Sequence, residues 1–147
     1  MALRIGLIGC GEMGAAVGAH LVQAGHEVST VLEGRGSETR TRAAEAGRAE
    51  LPDLPALVGR ADVLLSVVPP SMAMGIASEV AALLGNTGRP ALFVDANAIS
   101  PELVLDIAAR FLPGSFLDGG LVGAPPRDGV RPRLYLAGPA HERLAEL

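Results

Sequence analysis

Residues 4–14, RIGLIGCGEMG, constrain the fold of this chain more than any other stretch. A short apolar run at residues 5–8 is followed directly by the spacing G-x-G-x-x-G at Gly9, Gly11 and Gly14. The first glycine permits a tight turn out of a strand, the second lets a ligand approach the backbone, and the third lets a helix pack closely on the strand. The stretch therefore predicts a β-strand, a glycine turn and an α-helix in succession.

The flanking sequence makes this spacing more specific than the glycine-rich turns that are common in proteins. A helix that begins directly after such a turn presents unpaired N–H groups and the positive end of its dipole. Both features favour phosphate, so the strand, turn and helix together predict a site for the pyrophosphate of a dinucleotide. Glu12 and Met13 begin the helix and join Gly9, Gly11 and Gly14 as candidate cofactor-binding residues.

Strands and helices alternate along the rest of the chain. The patterns predict strands at residues 3–8, 26–32, 62–68, 91–95, 116–118 and 134–138, and helices starting near residues 13, 37, 74 and 100. Ser37 and Ser100 are expected to cap their helices, and residues 123–133, rich in Pro, Gly and Arg, are expected to form an exposed loop. This order predicts the α/β class, with a Rossmann-type doubly wound, mainly parallel sheet and helices on both faces.

Composition limits the classes of function that the chain can have. The 147 residues fit one domain, and a net charge of -4 provides no basic field for nucleic acid. Hydrophobic residues make up 49% of the chain, yet no apolar run is long enough to span a membrane. We therefore expect no nucleic-acid partner and no membrane association.

Reactive side chains are few. Cys10 is the single cysteine, so no intrachain disulfide can form and a reducing, cytoplasmic location is expected; Cys10 itself is interpreted as a small residue tolerated in the glycine turn. All 12 basic residues are arginines, which excludes lysine chemistry within this chain. His20, His26 and His141 are widely spaced and predict no metal site.

Four stretches, taken in order, resemble one family. They are residues 6–14 (GLIGCGEMG), 66–70 (SVVPP), 94–101 (VDANAISP) and 116–124 (FLDGGLVGA). Together they resemble the N-terminal cofactor domain of the β-hydroxyacid dehydrogenases, the group that contains 6-phosphogluconate and 3-hydroxyisobutyrate dehydrogenases. The resemblance implies that the loop at Val68 and Pro69 lies along the cofactor and that Asn97 faces its nicotinamide. An alternative for Asn97 is an ordinary turn asparagine that bonds its own backbone.

On the substrate side the chain departs from the family pattern. Asn97 and Ala98 replace a serine and a threonine, Gly119 and Gly120 replace an alanine and a proline, and Val122 replaces a serine that contacts the substrate. The resemblance therefore implies a cofactor domain but not the usual hydroxyacid substrates. It also places the catalytic lysine in a helical C-terminal domain beyond this chain, so no catalytic residue is assigned here.

The end of the second predicted strand bears on the choice of cofactor. Glu33 lies about 20 residues beyond Gly14, the position of an acid that holds the ribose 2′-OH of NAD. Arg35 and Ser37 follow, and a guanidinium with a hydroxyl favours the 2′-phosphate of NADP through charge-assisted hydrogen bonds. Similar family members have an arginine and a serine or threonine here. NADP is the preferred cofactor, with NAD as the alternative, unless these residues are only solvated charges at a helix start.

These observations predict an NAD(P)-dependent oxidoreductase whose residues 1–147 form the cofactor domain for hydride transfer on a small hydroxyacid, carbonyl or imine substrate. The alternative is a stand-alone dinucleotide-binding or sensor module without catalysis. The chain ends within an amphipathic stretch at residues 141–147, so we expect either a missing C-terminal helical domain or a homo-oligomer. The chain alone is expected to lack dehydrogenase turnover.

Overall fold

Seven strands form one sheet in the computed structural model, which describes residues 1–9 and 11–144. The strands are β1 (Arg4–Ile8), β2 (Glu27–Val31), β3 (Ala49–Leu51), β4 (Val63–Ser66), β5 (Leu92–Asp95), β6 (Phe116–Val122) and β7 (Arg133–Ala137). Their order is β3-β2-β1-β4-β5-β6-β7. Strands β1 to β6 pair in parallel, and β7 runs antiparallel to β6. The predicted Rossmann-type α/β fold is confirmed.

Helices connect the parallel strands. They are α1 (Glu12–Gln23), α2 (Ser37–Glu45), α3 (Leu54–Arg60), α4 (Ala73–Thr87) and α5 (Pro101–Ala108), with short 3₁₀ turns at Pro70–Met72 and His141–Leu144. No helix joins β6 to β7, because antiparallel neighbours need only a loop between them. That connection, residues 123–132, is called the β6–β7 loop below.

Two apolar layers, one on each face of the sheet, form the core. Successive strand residues alternate between the layers, as the two-residue period of a strand requires. On β4, Val63 and Leu65 pack in the layer that includes α1, whereas Leu64 packs in the layer that includes α3, α4 and α5. Helices therefore cover both faces of the sheet, as predicted.

The order of the strands reverses between β1 and β4. The chain moves outward from β1 to β3 and then returns, so that β4 pairs with the other side of β1. In open α/β sheets, ligands bind beyond the carboxyl ends of the strands at the point of reversal. In this molecule that point lies at Ile8 and Ser66, which are partners in register.

Several element predictions need correction. The prediction that Ser37 caps a helix is wrong, because Gly36 occupies the N-cap of α2 and Ser37 is the first helical residue. Ser100 does cap α5, where its hydroxyl accepts the N–H of Leu103 at 3.2 Å. The pattern does not predict β3, because this short edge strand has little apolar character. Strand β6 is longer than predicted, because β7 pairs with it up to Val122.

Some expectations fall outside the described residues. Cys10 and residues 145–147 of the C-terminal amphipathic stretch are among them. Within residues 1–9 and 11–144, no helix is long and apolar enough to cross a membrane. The same residues contain no group of histidine, cysteine and acidic side chains that could hold a metal ion.

Candidate functional site

Two of the three motif glycines are enclosed by backbone. Gly9 has a φ of +115°, and a Cβ there would lie 1.9 Å from the carbonyl oxygen of Val67. A Cβ on Gly14 would lie 2.8 Å from the carbonyl oxygen of Gly9. Both positions require glycine, because the turn, the loop after β4 and helix α1 meet backbone to backbone.

Gly11, by contrast, has open space beside it. Among the described residues, and apart from the chain neighbours of Gly11, no heavy atom lies within 4 Å of the position of a Cβ on Gly11. Its φ of -65° and ψ of 178° are allowed for any residue. Gly11 is the N-cap of α1 and offers no side chain to cap it, so the first N–H groups of the helix are left for water or a ligand.

Asn97 ties together the loops that follow β4 and β5. Its side-chain oxygen accepts the N–H of Val68 at 2.7 Å, and its side-chain nitrogen donates to Ser66 Oγ at 3.3 Å. Its own backbone N–H donates to Asp95 Oδ1 at 2.9 Å. The Asn97 side chain is buried and bonds a neighbouring strand and its loop, so it shapes the backbone beside Pro69.

Two aspartates, Asp95 on β5 and Asp118 on β6, are partners in register. Burial raises the pKa of the Asp95 carboxyl, and the charge of Asp118 raises it further. Among the described residues, Asp95 Oδ2 is buried and has no hydrogen-bond partner. Burial also raises the pKa of Asp118. These surroundings make protonation of Asp95 more favourable than protonation of a free aspartate, although the hydrogen bond from the Asn97 N–H acts in the opposite direction.

A cleft of about 350 Å³ opens beside Asn97 and Asp118. Its walls include Ile99 of the β5–α5 loop, Gly120 of β6 and Tyr135 of β7. Tyr135 is the partner of Gly120 in register, and 55% of the tyrosine is exposed. The cleft therefore combines an aromatic ring, a carboxyl group and an amide in a space that suits a small molecule.

Arg40 holds the turn that follows β2. Its guanidinium donates to the carbonyl oxygens of Arg35 at 2.7 Å and Leu32 at 3.1 Å. The Nε atom of Arg40 donates to Glu50 of β3 at 2.9 Å. Arg40 is thus a structural residue of this turn, and it fixes the backbone that presents Arg35.

The side chains at the tip of this turn are exposed. Within the described part of the chain, no hydrogen bond or ion pair engages the side chains of Glu33, Arg35 and Ser37. Arg42 differs, because it pairs with Glu38 one turn away on α2 at 3.1 Å. Arg35 and Ser37 are therefore available to a ligand.

The predicted site residues follow the carboxyl ends of four strands at one edge of the sheet. They are Gly9, Gly11, Glu12, Met13 and Gly14 after β1, Arg35 and Ser37 after β2, Val68 and Pro69 after β4, and Asn97 after β5. Sequence reasoning missed the role of Arg40, for which no local pattern gives a signal. The contact from Asp95 to the Asn97 N–H could have been found, because an aspartate that accepts the N–H two residues later is a common turn.

Comparisons with known proteins agree with the predicted resemblance. The conserved protein MTH1747, of unknown function and described as structurally similar to 3-hydroxyacid dehydrogenases, is 30% identical, with a TM-score of 0.81 over 97% of this chain and 52% of its own. The 3-hydroxyisobutyrate dehydrogenase of Mycobacterium tuberculosis, solved with L-serine, is 28% identical, with a TM-score of 0.69 over 84% of this chain and 42% of its own.

A curated relative is also matched over only part of its length. An uncharacterized 28.5 kDa protein from the 7S RNA 5′ region of Methanothermus fervidus is 27% identical over 121 residues, which are 82% of this chain and 46% of that protein. The chain thus spans about half the length of the relatives it matches.

A family match covers most of the site. Residues 4–109, from β1 through α5, match the family described as NADP oxidoreductase coenzyme F420-dependent. The match includes the glycine turn, the Arg35 turn and Asn97. The resemblance to the β-hydroxyacid dehydrogenases is confirmed, and the chain is a dinucleotide-binding oxidoreductase domain. It belongs to the NADP oxidoreductase coenzyme F420-dependent family.

Proposed function

We propose that the chain binds NADP across the turn from Gly9 to Gly14 and forms the cofactor half of an oxidoreductase. When bound, the nicotinamide supplies or accepts a hydride at C4, and the substrate is a small hydroxyacid, carbonyl or imine compound. The protein's part is to bind and orient the dinucleotide and to keep water from the reacting carbon. The family resemblance assigns proton transfer to a lysine, and because this chain contains none, we expect that group to be missing from it.

The observation that carries the proposal is the open space beside Gly11. Gly9 and Gly14 are glycines because the fold itself leaves no room for a side chain. The backbone angles of Gly11 suit any residue, and among the described residues no atom beyond its chain neighbours lies near a Cβ, as is also true of Gly59. Gly11 differs from Gly59 in its place, because it lies at the uncapped start of α1 beside the reversal of strand order, where a phosphate is favoured and a side chain would obstruct it.

The turn after β2 supports NADP as the dinucleotide. The side chains of Arg35 and Ser37 are exposed and make no hydrogen bond or ion pair within the described residues. By contrast, Arg40 forms an ion pair with Glu50, and Arg42 forms one with Glu38. A guanidinium and a hydroxyl together suit a 2′-phosphate. Glu33 favours NAD instead, because a carboxylate accepts the hydrogen bond of a ribose 2′-OH.

At the nicotinamide end we propose an indirect role for Asn97. Its side chain is bonded to Val68 and Ser66, so it would serve the cofactor by setting the backbone at Val68 and Pro69. The neighbouring cleft with Asp118 and Tyr135 is the proposed place for the small-molecule substrate. The single cysteine supports a reducing, cytoplasmic location, and the net charge of -4 supports the absence of a nucleic-acid partner.

The experiment is a calorimetric titration of wild type, Gly11→Val and Gly59→Val with NADP. Gly59 lies in α3 and, like Gly11, has no atom of the described residues within 4 Å of a Cβ apart from its own local backbone, so the two substitutions match in their effect on packing. We expect Gly11→Val to weaken NADP binding about tenfold to hundredfold, because the side chain fills the space of the pyrophosphate. Gly59→Val should bind as the wild type does. If both variants bind NADP equally well, the glycine turn is not part of the NADP site.

The second candidate is a stand-alone dinucleotide-binding or sensor module. The absence of lysine from residues 1–147 is consistent with both candidates, because the family resemblance places the catalytic lysine in a further domain. Both candidates predict the same NADP titration. They differ in the turnover of a longer gene product, because both candidates predict that the chain alone lacks turnover.

A further inference from the structure

The β6–β7 loop reaches the start of α1. Arg127 Nη2 of this loop lies 3.7 Å from Glu12 Oε1, and the two side chains are 76% and 75% exposed. Glu12 is the first residue of α1 and follows Gly11 directly. The contact therefore brings a guanidinium from a distant part of the sequence to the helix terminus proposed for the pyrophosphate.

A tight turn presents Arg127 at this place. Arg127 and Val130 exchange two backbone hydrogen bonds, with N···O distances of 3.2 and 2.9 Å. Between them, Asp128 has a φ of 50° and Gly129 a φ of 81°. Positive φ at both central residues is the geometry of a type I′ turn, for which Asp-Gly is a preferred sequence. The loop that composition predicts only to be exposed thus has a defined tip.

The loop tip brings Arg127 beside the negative charge of Glu12, and this charge affects how an anionic ligand binds at the start of α1. A carboxylate in the first turn of a helix interacts well with the helix dipole of the free protein. The same carboxylate repels a pyrophosphate placed at that terminus. The Arg127 guanidinium offsets that negative charge, because it lies within ion-pair distance of Glu12.

We propose that Arg127 is a further cofactor-binding residue, which neutralises Glu12 and adds a positive charge beside the pyrophosphate of a bound dinucleotide. The inference rests on the proposed function, since it presumes that the pyrophosphate lies at the start of α1. The dinucleotide site then includes a residue of the β6–β7 loop, outside the segment that matches the family.

The test compares NADP binding by wild type, Arg127→Ala, Arg127→Lys and Arg110→Ala at low and high ionic strength. Arg110 follows α5, at the opposite edge of the sheet, so Arg110→Ala is a control for the loss of one positive charge. We expect Arg127→Ala to raise the Kd roughly fivefold to tenfold at low salt and less at high salt, because salt screens exposed charges. Arg127→Lys should keep most of the affinity, and Arg110→Ala should keep all of it.

A ligand without a pyrophosphate makes the test specific. Adenosine 2′-phosphate has the ribose and the 2′-phosphate of NADP but no pyrophosphate, so Arg127→Ala should bind it as the wild type does. Glu12→Gln should tighten NADP binding, because it removes the repelling charge. The inference is wrong if Arg127→Ala matches Arg110→Ala, or if both ligands lose affinity equally.

The outcomes also separate this inference from the proposed function. A wild-type chain that binds neither NADP nor NAD overturns both. A wild-type chain that binds NADP and loses affinity in Gly11→Val but not in Arg127→Ala overturns the inference alone. Unfolding curves of the arginine variants should coincide with that of the wild type, since an exposed ion pair contributes little to stability.

Discussion

At the residue scale, the arginines in and after the turn that follows β2 make different interactions. Arg40 is bonded to two carbonyl oxygens and to Glu50, and Arg42 to Glu38, while the Arg35 side chain extends from the turn without a partner among the described residues. Charge counts along the sequence cannot distinguish these roles. The distinction matters for cofactor choice, because a partly exposed guanidinium gains most from a phosphate when it has no competing acid.

The first prediction concerns Arg35. Arg35→Ala should lose about 1.5–3 kcal/mol of NADP binding, roughly tenfold to hundredfold, with little change in NAD binding. Calorimetric titration of wild type and variant with both dinucleotides measures the preference. Should the wild type bind NAD more tightly than NADP, Glu33 would dominate the site and NADP would be the wrong cofactor.

Asp95 is the other informative single residue. Its carboxyl is buried with one oxygen unpaired, and burial together with Asp118 raises its pKa. A pKa raised by folding means that the folded protein binds the proton more tightly than the unfolded chain does. The resulting contribution to stability is fully present below the unfolded pKa of about 3.9 and is lost as pH rises through the folded value.

The second prediction follows from the direction of the Asp95 pKa shift. The free energy of unfolding of the wild type, relative to that of Asp95→Asn, should fall as pH rises from about 4 toward neutrality. Hydrogen bonds with Arg4 lower the pKa of Asp62 in both proteins, so the effect of Asp62 cancels in the difference. Asp118 does not cancel in this way, because its charge acts on Asp95, and the measured difference therefore belongs to the Asp95–Asp118 pair. Urea unfolding at a series of pH values provides the curve. A difference that stays constant or grows with pH would contradict the assigned burial of Asp95.

At the element scale, two serines at helix starts have different roles. Ser100 caps α5, whereas Ser37 is a proposed contact of the cofactor. The Ser100 hydroxyl accepts the N–H of Leu103 and satisfies the start of α5. Ser37 lies one residue inside α2, behind Gly36, and makes no such bond. The sequence alone gives both serines the same interpretation, because each precedes a helical pattern.

The third prediction compares these serines. Ser100→Ala should cost about 1 kcal/mol of stability, as expected for the loss of an N-cap, and should leave NADP affinity unchanged. Ser37→Ala should change stability by less than about 0.5 kcal/mol and should weaken NADP binding. Chemical denaturation and titration of both variants decide the matter; a stability loss in Ser37→Ala as large as in Ser100→Ala would contradict the assignment of the cap.

Sequence patterns predicted the buried elements well and the exposed ones poorly. The apolar runs of β4 and β5 predict central strands, because strands buried on both faces need apolar side chains throughout. Strand β3 is exposed along most of its length, and its pairing with β2 is a tertiary effect. The turn held by Arg40, the loops joined by Asn97 and the approach of Arg127 to Glu12 depend on contacts between distant residues, which local patterns do not contain.

At the scale of the whole molecule, an apolar cavity lies between α1 and the sheet. It has a volume of about 300 Å³ and is lined by Val17 and Leu21 of α1, Leu121 of β6, Leu134 of β7 and Leu144. The β6–β7 loop forms another part of its wall. Val122 at the end of β6 and Val130 in the β6–β7 loop are exposed apolar side chains of the same hairpin.

The fourth prediction is that the chain alone binds NADP without appreciable turnover. A positioned general acid or base contributes about 10²–10⁴-fold in rate, and the resemblance assigns that role to a lysine. The assay uses hydroxyacids, aldehydes, imines and coenzyme F420 with either nicotinamide cofactor, and adds a longer gene product as the positive control if one exists. Comparable turnover by the 147-residue chain would place the catalytic group within it, with Asn97 and Asp118 the first residues to replace.

Amide NMR of this 15.0 kDa chain can show whether a dinucleotide lies across the glycine turn. On addition of NADP, we expect the largest shift changes at residues 11–14, followed by residues 35–37 and Val68. Amides of Gly59 and Arg110, at the opposite edge of the sheet, should not change. Shift changes confined to that opposite edge, with residues 11–14 unaffected at saturation, would show that the glycine turn does not bind the dinucleotide.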